Sequence, residues 1–189
     1  MTEDQHIIYI TGRGGDANKD LGGHLKALEL HRIGLSVNRI FLKLDFNEQV
    51  NVVTKMIIDF DSSPTFFVAN SYGSYLCLHT LIDAPRYLFS FLFLSPAIGL
   101  VLNQQAMVYS GVPSCQFFNQ AVTEKRITKP NFVTLHIGDC DLDNDSEAFK
   151  ELGATLGTDQ LHILKGQGHA LDKGLTQNII KQFLSTEVQ

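Results

Sequence analysis

Four residues that follow predicted buried strands have side chains suited to acid–base and nucleophilic chemistry. They are Ser71, Asp139, Asp141 and His169. A serine hydroxyl is a weak nucleophile until a neighbouring base removes its proton, and that base needs an acid to orient it. A histidine and an aspartate can fill these two roles. The residue types therefore predict covalent acyl transfer, provided that the fold brings them together.

The segment around Ser71 has the pattern of a sharp strand-to-helix turn. A strained backbone at such a turn lifts the serine hydroxyl clear of the sheet. The strand and the helix then pass so close together that the residues two before and two after the serine must be small, and Ala69 and Gly73 meet that demand. A serine that only caps the helix N-terminus would give a similar pattern. The local sequence leaves both interpretations open.

The histidine and the acids favour the first interpretation. His169 ends the turn Gly-Gln-Gly-His at 166–169, whose glycines can project an imidazole over the sheet. Either Asp139 or Asp141 could accept a hydrogen bond from that ring. The alternatives are a histidine on a surface loop and a solvated acidic loop before a helix, where the helix dipole favours acids.

Apolar runs that alternate with amphipathic segments predict the elements that position these residues. Strands that are apolar on both faces and alternate with helices form parallel sheets covered on both sides, and ligands bind beyond the carboxyl ends of the strands. We expect one α/β domain with a six-stranded, mostly parallel sheet and helices on both faces. The predicted strands are 6–11, 37–44, 65–69, 88–94, 131–137 and 160–164, and the predicted helices are 20–33, 47–60, 72–83, 146–156 and 174–184.

One segment, 97–130, is longer than a usual crossover connection. It forms either a small cap over the site or an ordinary crossover helix with long loops. If it forms a cap, its apolar side chains favour a substrate with a modest hydrophobic acyl chain.

The order serine, aspartate, histidine, each beyond a strand, resembles the α/β-hydrolase superfamily. The resemblance runs from His6 to about Leu184 and rests on Ala-Asn-Ser-Tyr-Gly at 69–73, Gly-Asp-Cys-Asp at 138–141 and the turn at 166–169. The chain is short for this family, so we expect a minimal hydrolase core that departs from the family by lacking the extra N-terminal strands and a large lid. The sequence departs from the family at Ala69, where glycine is commoner, and at Thr11, where a His-Gly pair is frequent.

The resemblance also assigns roles to five residues. Ser71 is the nucleophile, His169 the base and Asp141 the orienting acid, because the acid usually lies three residues after the glycine. The backbone N–H groups of Arg13 and Tyr72 form the oxyanion hole. A helix N-terminus also favours negative charge, which supports the assignment of Tyr72 independently. The expected activity is hydrolysis of a small ester or thioester, without cofactor or metal.

The Arg13 side chain is unusual in an oxyanion loop. We expect it to point to solvent or to pair with Asp16, and the alternative is that it holds an acidic group of the substrate.

Composition excludes several other functions. The chain has 189 residues and a net charge of -5, without a basic block, which argues against nucleic-acid binding. Three distant cysteines, an acidic start and only short apolar runs predict a cytoplasmic protein without disulfides, secretory signal or membrane span. The expected partner is a small-molecule acyl substrate.

Two other interpretations stay open. Gly12, Gly14 and Ala17 match a dinucleotide-binding fingerprint, with Asp45 at the end of the second predicted strand as the ribose-binding acid. However, Asp45 lies farther along the chain than usual, and this interpretation leaves Ser71 and its partners unexplained. The second is a hydrolase-like domain that only binds. A calcium loop at 139–150 is excluded because its sixth and twelfth positions are Asn and Lys.

Overall fold

The computed structural model describes residues 6–28, 31–60, 65–85, 89–98, 100–103, 108–141, 146–157 and 160–185. The strands in these ranges are β1 His6–Ile10, β2 His31–Leu35, β3 Thr65–Asn70, β4 Ser90–Leu94, β5 Leu100–Asn103, β6 Val108–Gly111, β7 Phe132–Gly138 and β8 Leu161–Leu164. The helices are α1 Asp20–Lys26, α2 Phe46–Asp59, α3 Tyr72–Thr80, α4 Cys115–Thr123, α5 Ser146–Leu156 and α6 Lys173–Leu184.

Six of these strands form one sheet in the order β2-β1-β3-β4-β7-β8, and every pairing within it is parallel. Alternate side chains of each strand point to opposite faces. One face packs on α2, α3, α4 and α5, whereas the other packs on α1 and α6. In β3, for example, Phe67 and Ala69 belong to the first core and Phe66 and Val68 to the second. The prediction of a six-stranded parallel sheet with helices on both faces is confirmed.

The second strand lies elsewhere than predicted. β2 is His31–Leu35, in parallel register with β1, whereas the predicted strand 37–44 contains a loop and a short 3-10 helix. Asn38 explains the difference, because its side-chain oxygen accepts the N–H groups of Ile40 and Phe41 and turns the chain there. The predicted helix 20–33 is correspondingly too long, since α1 ends at Lys26.

The segment 97–130 contains a hairpin and a helix. β5 and β6 pair with each other in antiparallel fashion, apart from the main sheet, and the hairpin was not predicted. Residues 99 and 104–107 lie outside the described ranges. Helix α4 packs against α3, where the Phe118 ring lies 5.3 Å from the ring of Tyr75 between centroids. α4 lies between β4 and β7 along the chain, and the choice between a cap and an ordinary crossover segment stays a prediction.

Candidate active site

The residues singled out for their chemistry lie at one edge of the sheet. Ser71 follows β3, Asp141 follows β7 and His169 follows β8. These strands run parallel, with only β4 between β3 and β7. Their carboxyl ends therefore meet at the same edge, and side chains far apart in sequence come into contact there.

The backbone at Ser71 makes the sharp turn that the sequence predicts. Its φ is 51° and its ψ is -118°, a conformation that non-glycine residues rarely adopt. The Ser71 N–H donates to the Leu94 carbonyl of β4 at 2.8 Å, and α3 begins at the next residue. Ser71 occupies the N-cap position of α3, but its side chain makes no capping hydrogen bond. The hydroxyl is therefore available for another partner.

Small residues allow this turn, as the sequence predicts. A Cβ atom at Gly73 would lie 2.4 Å from the Thr11 carbonyl oxygen and 2.6 Å from that of Ile10. A Cβ at Gly12 would lie 3.1 Å from the Cβ of Ser71. The end of β1, the start of α3 and the glycine loop are thus packed backbone against backbone around the serine.

Ser71, His169 and Asp141 form a continuous chain of hydrogen bonds. The Ser71 Oγ lies 2.7 Å from Nε2 of His169, and Nδ1 of the same ring lies 2.9 Å from Oδ2 of Asp141. The Asp141 side chain is fully buried, whereas the imidazole is 31% exposed. An ionised Asp141 only accepts hydrogen bonds, so a neutral His169 ring beside it has its proton on Nδ1 and accepts the bond from the Ser71 hydroxyl at Nε2.

Asp139 has a different role. Its Oδ1 accepts the Gly166 N–H at 2.6 Å and lies 3.3 Å from the Cys140 thiol. The hydrogen bond to Asp139 raises the pKa of Cys140. Of the two aspartates that the sequence left open, Asp141 contacts the His169 ring and Asp139 holds the turn that precedes it.

The loop that carries His169 is held against the end of β7. A Cβ at Gly138 would lie 2.1 Å from the Gln167 carbonyl oxygen, which accepts the Cys140 N–H at 2.9 Å. The Gln167 side chain in turn accepts the Asp172 N–H at the start of α6. Sequence reasoning did not assign this positioning to Gln167, because a glutamine between two glycines carries no local signature of the contacts it makes.

Solved structures with the same architecture cover almost the whole chain. Alpha/beta hydrolase domain-containing protein 10 from mouse has a TM-score of 0.68 and 14% identity, over 95% of this chain and 89% of its own. Esterase PE8 has a TM-score of 0.61 and 17% identity, over 95% and 93%. A thioesterase domain from the curacin biosynthetic pathway has a TM-score of 0.60 and 12% identity, over 97% and 92%.

The chain has the α/β-hydrolase fold. At these identities the likeness shows the fold alone. No family model matches the sequence, and no curated protein sequence matches it either.

Within this hydrolase fold, the loop after β1 lies beside Ser71. The Thr11 hydroxyl accepts the Val37 N–H at 2.9 Å, and the Gly14 N–H donates to the Val37 carbonyl at 2.7 Å. These bonds fix the loop on both sides of Arg13. In the described part of the chain, the backbone N–H groups of Arg13 and Tyr72 have no protein acceptor. Both are candidates for binding a negatively charged oxygen.

Arg13 is exposed, which fits the expectation that its side chain points to solvent. Its guanidinium lies over the Tyr72 ring, 4.6 Å from the centroid, and Asp16 pairs with Lys19 instead. The Tyr72 hydroxyl donates to Gln49 Oε1 at 3.1 Å. Burial raises the pKa of Tyr72, and the Arg13 charge opposes that shift. Of the two expected placements, the described residues do not show the pairing with Asp16, because the aromatic face offers the cation a site within reach.

The structure does not place Asp45 where the dinucleotide-binding interpretation requires a ribose-binding acid. Asp45 lies well beyond the end of β2 and caps α2, in a reciprocal capping box with Glu48. A ribose-binding carboxylate belongs at the end of the second strand instead.

The described residues lack two kinds of feature. They contain no group of three or more His, Cys, Asp or Glu side chains arranged to hold a metal ion. Among the same residues, no helix is long and apolar enough to cross a membrane.

Proposed function

We propose that this protein is a serine hydrolase that cleaves a small ester or thioester through an acyl-enzyme intermediate. The hydrogen-bonded chain from Ser71 through His169 to the buried Asp141 is the observation that carries the proposal. The strained turn at Ser71 gives it further support, because this conformation presents the hydroxyl above the sheet. Esterase PE8 and the thioesterase domain share the fold, which supports the substrate class.

The first half of the reaction forms the acyl-enzyme. His169 Nε2 removes the Ser71 proton while Oγ attacks the substrate carbonyl carbon. The carbonyl oxygen becomes negatively charged, and the N–H groups of Arg13 and Tyr72 stabilise it. The buried Asp141 carboxylate stabilises the imidazolium and keeps the ring oriented. The intermediate collapses as the bond to the leaving group breaks, and the imidazolium gives its proton to the leaving oxygen or sulfur.

The second half releases the acid. A water molecule gives a proton to His169 and attacks the acyl carbon, and the same N–H groups hold the oxyanion. The bond to Ser71 Oγ then breaks, and His169 returns the proton to Oγ. Every proton in this scheme passes through one imidazole, so loss of His169 is expected to slow both halves.

The direct test is labelling with a fluorophosphonate, measured by intact mass. The wild type is expected to gain one adduct, Ser71→Ala none, and His169→Ala to react at least about a thousandfold more slowly. Ser114→Ala is a matched control, because Ser114 also has a positive φ, 56°, at the N-cap of a helix. It is expected to label like the wild type.

Two results would contradict the proposal. One is no adduct on wild-type protein whose circular dichroism is that of a folded α/β domain. The other is an adduct that persists in Ser71→Ala. The first would favour the interpretation as a domain that only binds.

A further inference from the structure

A pocket of about 270 Å³ lies next to the hydrogen-bonded chain, on the face of the sheet that α1 and α6 cover. Two of its lining residues adjoin the proposed catalytic residues in sequence. Asn70 directly precedes Ser71, and Ala170 directly follows His169. Consecutive Cα atoms are about 3.8 Å apart, so these two lining residues lie close to Ser71 and His169 along the backbone.

The pocket has apolar walls with some uncharged polar side chains among them, and its lining carries no net charge. Leu21, Leu94 and Leu171 supply its apolar walls. Asp20 and Lys173 contribute one carboxylate and one ammonium group. Such a site stabilises an uncharged apolar group and does not select for an acidic or a basic one.

Asn70 is the polar group at the catalytic end of the pocket. Its Nδ2 lies near the loop that carries Arg13, since a Cβ built on Gly12 would be 3.5 Å away. In the described part of the chain, the Asn70 amide makes no protein hydrogen bond. A half-buried amide in this position can bind an oxygen atom close to the scissile bond.

We propose that this pocket binds the leaving-group arm of the substrate, an uncharged alkyl alcohol or thiol with an acceptor atom near the ester. This inference rests on the function proposed above. The leaving atom must lie within hydrogen-bond reach of His169 Nε2, because it receives its proton from there. The walls formed by Ala170 and Leu171 continue from His169 itself. The arm beyond the leaving atom therefore enters this pocket, on the opposite face of the sheet from α4.

The volume sets the size of the arm. A cavity of about 150 Å³ holds a benzene molecule, so this pocket has room for roughly six to ten non-hydrogen atoms. Each buried methylene raises kcat/KM by up to about fourfold. Acetate esters of longer alcohols are thus expected to react progressively faster from ethyl to hexyl.

The test uses substitutions that fill the pocket from either side. Leu21→Phe and Gln177→Phe each place a ring in it, whereas Asn178→Phe adds the same ring at an exposed position one residue further along α6. Two series are measured as kcat/KM. Acetates of ethanol to octanol vary the leaving group, and p-nitrophenyl acetate to hexanoate vary the acyl chain.

Both filling variants are expected to lose at least about tenfold in the ratio of hexyl to ethyl acetate. They should keep the wild-type dependence on acyl length, and Asn178→Phe should match the wild type in both series. An unchanged alcohol dependence in both filling variants would overturn the inference. So would a change confined to the acyl series, because it would assign the pocket to the acyl chain.

A comparison of two acetate esters tests the role of Asn70. 2-Methoxyethyl acetate and butyl acetate have leaving groups with the same number of non-hydrogen atoms, and only the first offers an ether oxygen. Asn70→Leu is expected to lower the ratio of their rates about fivefold, since one neutral hydrogen bond is lost. An unchanged ratio would remove Asn70 from the site.

Fluorophosphonate labelling separates this inference from the function on which it rests. If the wild type and all the variants are labelled while the alcohol dependence stays the same, the pocket assignment is wrong and the hydrolase stands. If the wild type is not labelled at all, both are wrong.

Discussion

The contact of Gly73 with β1 makes a quantitative prediction. Alanine at this position would bring its Cβ to 2.4 Å and 2.6 Å from two carbonyl oxygens, both under the 3.0 Å that real Cβ contacts respect. Both oxygens belong to the backbone of Ile10 and Thr11, at the carboxyl end of a central strand. No side-chain rotation can relieve the clash, so β1 and α3 must move apart.

The cost follows from overpacking. Forcing an extra carbon into a packed core costs about 1–3 kcal/mol, and alanine in a helix returns up to about 1 kcal/mol. We expect Gly73→Ala to lower the free energy of unfolding by about 1–2 kcal/mol, or the Tm by roughly 2–8 °C for a chain of this size. Thr11 leads into the loop that carries Arg13, so its displacement moves one oxyanion donor. Labelling by fluorophosphonate is expected to slow by about tenfold or more.

Gly23→Ala is the matched control. This glycine also lies in a helix, but its Cβ would meet only the Asn18 carbonyl at 3.4 Å, an ordinary contact. It is expected to keep or slightly raise the Tm and to leave labelling unchanged. The measurements are the Tm and the rate of fluorophosphonate labelling for both variants and the wild type. A Tm of Gly73→Ala within about 1 °C of the wild type would show that the contact of α3 with β1 tolerates a Cβ at residue 73.

Three further predictions concern the acids, a buried histidine and the loop arginine. Asp141→Asn is expected to slow labelling by about 10³ to 10⁴, because the ring loses its anionic partner, whereas Asp139→Asn should slow it less than tenfold and lower the Tm slightly. Equal effects of the two variants would contradict the assignment. Burial lowers the pKa of His79 to about 4, so the unfolded chain binds more protons between that pH and about 6.5. The free energy of unfolding should therefore fall as the pH drops through this window, and urea titrations of His79→Phe should show a shallower fall; an identical slope would contradict this. Arg13→Ala is expected to reduce kcat/KM equally for neutral and acidic acyl esters, because the guanidinium rests on Tyr72; a selective loss on acidic esters would show that it binds the substrate.

The apolar pattern of the sequence predicts most elements, and the error at β2 arises because strand pairing is not visible in the local pattern. The run at 37–44 is as apolar as a strand, so its pattern favoured β2 there. The strand is instead His31–Leu35, with a glycine and two basic residues that make a weak local pattern. Pairing with β1 selects it, and pairing is a contact between segments that local pattern does not contain.

The roles of the two aspartates likewise depend on contacts between distant segments and not on the local pattern. Both follow β7 within three residues of its end, and spacing alone allows either to reach the histidine. The turn after Gly138 buries Asp141 beneath the His169 ring and directs Asp139 to the Gly166 N–H. Only the close approach of the two loops separates their roles.

The sequence by itself determined the fold class, the strand-to-helix turn at Ser71 and the order of serine, acid and histidine, because these depend on residue types and on spacing along the chain. The tertiary structure decided which acid contacts His169, that Arg13 lies over Tyr72, and that a pocket opens between α1 and α6. These features arise from contacts between segments far apart in sequence. Their energies depend on distances in space, which only the packed sheet and its helices define.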